Sequence, residues 1–312
     1  RSYLAAIKAD PKRNVVITAG TEHHAGVEPV EWLESTEGAE IIWAPVDSQG
    51  VVDLAWLAGY LAENSQHVAL ISLMWVNNET GLITPIAEAT GIATRYGIPV
   101  HSDAVAAFGH IPVSFKSSGL TTMAISGHKF GAPVGIGALV AARDAKLAVI
   151  SHGGGQERGI RSGTLSSPLA YAIGEAAALA AAEIEAVGER LSVYAKQIIA
   201  AVKEVAPSAI FTRGDQAGFD GLIHFTFPGC SGDSLLYLLD TAGVNVSTGS
   251  ACRAGVAQAS HVLMAMGRSE DEARGSLRIS LGYSTTLADV EAFIKAFPAA
   301  YARAHKAGLS SK

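Results

Sequence analysis

A chain of 312 residues, 49% hydrophobic and 17% charged, has enough apolar surface for a large core plus a smaller one, which excludes a disordered or fibrous protein. Its formal net charge of −6 is spread along the sequence and leaves no basic stripe for a phosphate backbone, so nucleic acid is not an expected partner. Two cysteines, Cys230 and Cys252, exclude a disulfide framework, and neither stands at zinc-ligand spacing, which points to a reducing, cytoplasmic setting.

Residues 1–10 lack the apolar core of a secretory signal. Short β-branched runs then recur at 14–18, 41–45, 68–73, 98–102 and 123–126. Helical patterns at 53–62 and 85–96 fall between them. This alternation predicts an α/β domain around a mainly parallel sheet flanked by helices. Such sheets bind ligands outside the carboxyl ends of their strands, and the reactive side chains cluster there: Glu22, His23 and His24, then Asn77 and Asn78, then Asp103, then His128 and Lys129. Four strand exits are thus expected to present polar groups to one rim.

An alanine-rich stretch at 168–205 predicts one long helix, or two with a break near Gly188, ended by Pro207. Its most apolar part, 176–182, lies between Glu175 and Glu183 and is too short to span a bilayer, so no membrane association is expected. Beyond it the pattern reads strand 222–227, helix 232–242, a Gly/Ser loop, helix 259–266, strand 276–281 and helix 287–306. The expected division is a large domain over 1–185, then a bridging helix and a smaller α+β domain over 186–312.

Several side chains carry two readings. Lys129, in Ser126-Gly127-His128-Lys129 at the end of an apolar run, suits Schiff-base chemistry if a desolvating wall lowers its pKa, or is an exposed turn lysine. Asp103 is either a partner for a protonated ring nitrogen or an N-cap. Glu22-His23-His24 has no third ligand to complete a metal site, so no metal is expected, but an imidazole there can stack on a flat ring and move protons. The stretch 152–164, with three consecutive glycines, two arginines and Thr164, offers anion-binding donors or is a flexible crossover loop. Cys252 sits among small residues beside Arg253, a setting that favours a thiolate, whereas Cys230 follows a strand directly and reads as structural. Arg278, alternating with apolar residues, is a carboxylate clamp or half of an ion pair.

Taken together, EHHAGVEPVEWL (22–33), MWVNNETG (74–81), HSDAVAAFGHIPV (101–113), SGHKFGAPVGIGAL (126–139), GGGQERGIRSGT (153–164) and STGSACRAG (247–255) resemble the NifS/IscS-like cysteine desulfurases. These are fold-type I enzymes of the class V aminotransferase group. The resemblance continues in order through SHVLMAMG (260–267) and RGSLRISLG (274–282). It implies pyridoxal 5′-phosphate held by Lys129 as a Schiff base, with Asp103 on the ring nitrogen and His23 stacked on the ring. It implies Ser126 and His128 at the phosphate, with Thr164 reaching the site of the other subunit in a homodimer. Asn78 and Arg278 grip the substrate carboxylate, and Cys252 takes the sulfur of L-cysteine as a persulfide. The sulfur then passes to an acceptor, such as an iron–sulfur scaffold or a tRNA-thiolation factor.

Two departures accompany the resemblance. Relatives place a glutamine where this chain has Ala106, which removes one hydrogen bond to the cofactor. Relatives also carry several dozen residues ahead of the position of Arg1, with a Gly-Thr-rich phosphate loop, so weak cofactor retention is expected of the 312 residues by themselves. Other readings are another class V enzyme, such as a selenocysteine lyase or an aminotransferase, and an inactive subunit that only binds a sulfur-relay partner.

Overall fold

The computed structural model describes residues 1–249 and 259–310. The chain divides into two compact units, one of 1–45, 52–76 and 84–184, the other of 46–51, 77–83 and 185–312.

In the first unit, strands β1 (Val15–Ala19), β2 (Glu40–Ala44), β3 (Val68–Ser72), β4 (Val100–Asp103), β5 (Thr122–Ser126) and β6 (Gly137–Ala141) form one sheet in the order β2-β1-β3-β4-β5-β6. All pairs are parallel except β5 with β6. Every residue of β1 is buried, as a strand covered on both faces requires, and its unbroken VVITA run reflects that. Helices α1 (Ser2–Ala9), α2 (His24–Glu37), α3 (Leu54–Asn64), α4 (Ile86–Thr94) and the single turn α5 (Phe115–Ser118) connect or flank the strands. Helix α3 starts where Asp53 accepts the Trp56 N–H at 2.8 Å, and its Leu57 and Leu61, one turn apart, are fully buried. Each contributes about 1.5–3 kcal/mol of burial.

Helix α6 (Ser167–Val205) is one uninterrupted helix of 39 residues; no break occurs at Gly188. It begins in the first unit and ends in the second. The second unit adds β7 (Ile210–Phe211), β8 (Leu222–Thr226), α7 (Gly232–Asp240), α8 (His261–Ala265), α9 (Glu270–Arg274), β9 (Ser276–Ser280) and α10 (Leu287–Ser310). Its sheet is antiparallel, β7-β8-β9, and its core joins Phe225, Phe227, Leu235, Leu277, Phe293 and Phe297. Two short stretches distant in sequence complete it: Leu82 bridges Gly218, and the Ile83 N–H meets the Ala217 carbonyl at 3.0 Å. Among the described residues no helix is long and apolar enough to cross a membrane.

Candidate active site

The carboxyl ends of β1, β3, β4 and β5 fall on one edge of the first sheet, because these four strands are neighbours and parallel. His23, just beyond β1, is the N-cap of α2: its Nδ1 accepts the Ala25 N–H at 3.0 Å. That bond makes Nδ1 an acceptor, so the neutral ring carries its proton on Nε2. Beside it Glu22 is buried and its carboxylate accepts the Met74 N–H at 2.7 Å, which ties the exits of β1 and β3 together. Burial, reinforced by the nearby Asp103 charge and opposed by the Met74 bond, pushes the Glu22 carboxyl up to about 8.

Asp103 ends β4. Its Oδ1 accepts the Val105 N–H at 2.8 Å, and its backbone carbonyl accepts from Trp75 at 2.9 Å. The capping use foreseen for this residue is therefore real, but it caps a turn rather than a helix and, among the described residues, engages one carboxylate oxygen. On the adjacent strand, β5 runs into a 3-10 turn, Gly127–Lys129. Within this exit Ser126 Oγ lies 2.9 Å from His128 Nδ1. Gly127 is packed so closely that a Cβ there would stand 2.9 Å from Ala132 Cβ, which is why the exit from the strand is a glycine. The side chains of His128 and Lys129 are exposed within this chain, so the desolvating wall expected around Lys129 is not supplied by its own unit.

The loop carrying Thr164 is held by Gln156 Oε1, which accepts the Gly163 N–H at 3.0 Å, and by Arg161 Nη1, which donates to the Gly163 carbonyl at 2.9 Å. Glu157 and Arg158 adopt left-handed conformations, φ 48° and 58°, costing on the order of 1 kcal/mol or more each. Thr164 is exposed.

In the second unit Asn78 and Arg278 meet. Arg278 Nη1 donates to the Asn78 carbonyl at 3.0 Å, and Nη2 reaches Ser247 Oγ at 3.4 Å. Asn78 Oδ1 and Arg278 Nε have no hydrogen-bond partner among the described residues although both are buried. A carboxylate ligand would satisfy such a guanidinium. Next to them Glu79 is buried and accepts from Ser260 Oγ at 2.5 Å; burial raises its pKa first, against the bond from Ser260 and the charges of His261 and Arg278. Cys252 lies outside the described residues. Cys230 is buried in the core of the second unit, with its Sγ 3.7 Å from His305 Nδ1 and its pKa raised by burial.

The aminotransferase class-V family profile matches residues 2–293. The chain belongs to the class-V aminotransferase family. Among class-V relatives, an "IscS-like cysteine desulfurase" of Mycobacterium tuberculosis is 45% identical over 310 residues, covering 99% of this chain and 79% of that one. "Cysteine desulfurase NifS" of Azotobacter vinelandii is 35% identical, covering 95% and 73%. Among solved class-V structures, a "NifS-like protein" matches with a TM-score of 0.86 at 30% identity, covering 96% and 78%. The NifS-like protein from Rickettsia africae matches with 0.83 at 31%, also covering 96% and 78%. The expected fold-type I architecture is thereby borne out. Members of this family work with pyridoxal 5′-phosphate, and the donors present suit it: a carboxylate with an oxygen to spare, a neutral imidazole, a Ser/His pair and an amine on adjoining strand exits.

Sequence reasoning about this class-V chain passed over two site neighbours, His110 and Glu79. Both sit inside motifs that stand out for other residues, Asp103 and Ala106 in the first and Asn77 and Asn78 in the second. For His110 the available signal is a titratable residue set among apolar neighbours in HSDAVAAFGHIPV; Glu79 stands among Asn77, Asn78 and Thr80, and no local pattern marks it as buried.

Proposed function

We propose that this chain converts L-cysteine to L-alanine with pyridoxal 5′-phosphate and holds the released sulfur as a persulfide on Cys252. The observation that carries the reading is the placement of Asp103 and Lys129 on the exits of two paired parallel strands, β4 and β5. That is the arrangement in which one residue can hold the far side of a ring while another holds its aldehyde carbon.

When bound, the cofactor supplies an electron sink that weakens the substrate's bond to sulfur. Lys129 holds it through its amine, Asp103 keeps the ring nitrogen protonated, and Ser126 and His128 donate to the phosphate. His23 covers one ring face and, with its proton on Nε2, holds a proton for transfer. Asn78 and Arg278 orient the substrate carboxylate, and Thr164 serves the site of a second copy. The Cys252 thiolate attacks the substrate sulfur; a sulfur–sulfur bond forms, the carbon–sulfur bond breaks with its electron pair left on carbon, and that carbon takes up a proton. The enzyme then passes its outer sulfur to an acceptor protein such as an iron–sulfur scaffold.

A homodimer accords with the exposed apolar side chains of the first unit, among them Val134, 82% exposed, and Tyr171, 72% exposed, in the single chain. The test is alanine formation from L-cysteine, with sulfide measured after an added dithiol reduces the persulfide. Cys252→Ala is expected to abolish both while leaving borohydride-fixed cofactor on the Lys129 peptide. Undiminished turnover in that variant would defeat the proposal.

A further inference from the structure

Asp103 and Lys129 are joined by more than strand pairing. From Asp103 the chain makes a compact turn whose first residue is tied to β5, Ala104 N–H to the Ala124 carbonyl at 2.9 Å, and whose later residues close on Ala107, with His110 N–H and Ile111 N–H both 3.0 Å from its carbonyl. The end of that turn lies against the segment carrying Lys129 at three successive positions. Phe108 meets Phe130 edge-on at 4.9 Å between ring centres. Gly109, at φ +81°, approaches so closely that a Cβ would stand 2.5 Å from Phe130 Cβ. His110 Nε2 is 2.9 Å from the Lys129 carbonyl oxygen.

That carbonyl ends a single 3-10 turn, where the last oxygens have no partner further along the helix. Among the described residues no backbone N–H reaches it. His110 therefore supplies its hydrogen bond, which requires the proton on Nε2.

We infer that His110 is a positioning residue: it fixes the turn bearing Lys129 to the turn that starts at Asp103, and so sets the spacing between the two groups proposed to hold opposite sides of the cofactor. The inference rests on the assignment of Lys129 and Asp103 made above. The environment of the ring agrees with a neutral donor, since burial lowers its pKa, against the carbonyl bond, and the Lys129 charge lowers it further. Losing one hydrogen bond of about 0.5–1.5 kcal/mol corresponds to a change of up to about tenfold in a rate that depends on that geometry.

The experiment uses the full chain mixed with pyridoxal 5′-phosphate. Imine formation is followed by stopped-flow absorbance, its site by borohydride fixation and mass on the Lys129 peptide, and kcat and KM for L-cysteine are measured alongside. His110→Ala is expected to slow imine formation by about tenfold and lower kcat by a similar factor. His110→Gln, whose amide nitrogen reaches about as far as Nε2 and donates to the same carbonyl, is expected to recover to within about threefold. Imine formation in His110→Ala at the wild-type rate overturns the inference, as does a His110→Gln variant as slow as His110→Ala. If His110→Ala does not fold, His110→Phe, which fills the space without a donor, must show the same slowing; wild-type behaviour there also overturns it. A wild-type chain that takes no cofactor mass on Lys129 defeats the assignment of Lys129 itself, a different outcome from normal labelling unaffected by His110.

Discussion

Glu22 and His224 show how burial decides the behaviour of single residues. The Glu22 carboxyl, raised to about 8, keeps its proton in the folded first unit at neutral pH while the unfolded chain has lost it. Its contribution to stability is complete below the unfolded value of 4.5 and is lost as pH rises through about 8. His224 is the reverse case. It is fully buried on β8, with Nδ1 2.7 Å from Thr212 Oγ1, and burial, aided by the Arg278 charge, lowers it to about 3. Its contribution is complete above 6.5 and is lost as pH falls toward 3. Hydrogen exchange read by peptide at about pH 5 and about pH 8.5 is therefore expected to show the first unit losing protection at the higher value and the second at the lower. Glu22→Gln keeps an acceptor for Met74 and removes the ionisation; it should gain on the order of a few kcal/mol relative to wild type between those two conditions. A Glu22→Gln chain whose pH profile overlays that of wild type would sink this account.

At the scale of elements, local pattern and close packing divide the information. The strands β1 to β5, β8 and β9 were legible within one or two residues, because β-branched runs bounded by turn residues are a local signal. Helix α2 was not: Pro29 stands inside it and Val30 is its one buried side chain, so no apolar stripe marks it. Strand β6 was also missed, since its GALVA run follows three glycines and reads as loop until its antiparallel pairing with β5 is seen. Glycines make the same point energetically. Gly91 lies in α4 with nothing within 4 Å of a built Cβ, so Gly91→Ala should stabilise by about 0.5–1 kcal/mol. Gly109→Ala meets both a positive φ and the Phe130 side chain and should cost on the order of 1–3 kcal/mol. Thermal midpoints of the two variants should move in opposite directions; a shared direction would contradict the packing described.

For the whole molecule the informative feature is that the second unit is not one stretch of chain. Residues 77–83 supply the Gly81 carbonyl that accepts the Phe219 N–H at 2.8 Å, the Leu82 to Gly218 bridge and the Asn78 carbonyl under Arg278. A fragment of residues 185–312 lacks all of these: Arg278 loses the Asn78 carbonyl and keeps only its longer approach to Ser247, and the Ser260 hydroxyl loses its buried acceptor, Glu79. The fragment is expected to bind a hydrophobic dye and to melt without a cooperative transition. A sharp transition at the midpoint of the intact chain would show that the short stretches are dispensable. The sequence by itself determined which residue types stand at which strand ends, and hence the class of chemistry, because strand periodicity and motif order are properties of neighbouring positions. Tertiary structure alone decided that Arg278 meets a carbonyl 200 residues away, that His110 meets the Lys129 carbonyl, and that Glu22 and His224 titrate far from their ordinary values. Solvent exclusion and hydrogen-bond partners come from segments remote in the chain, and no local pattern encodes them.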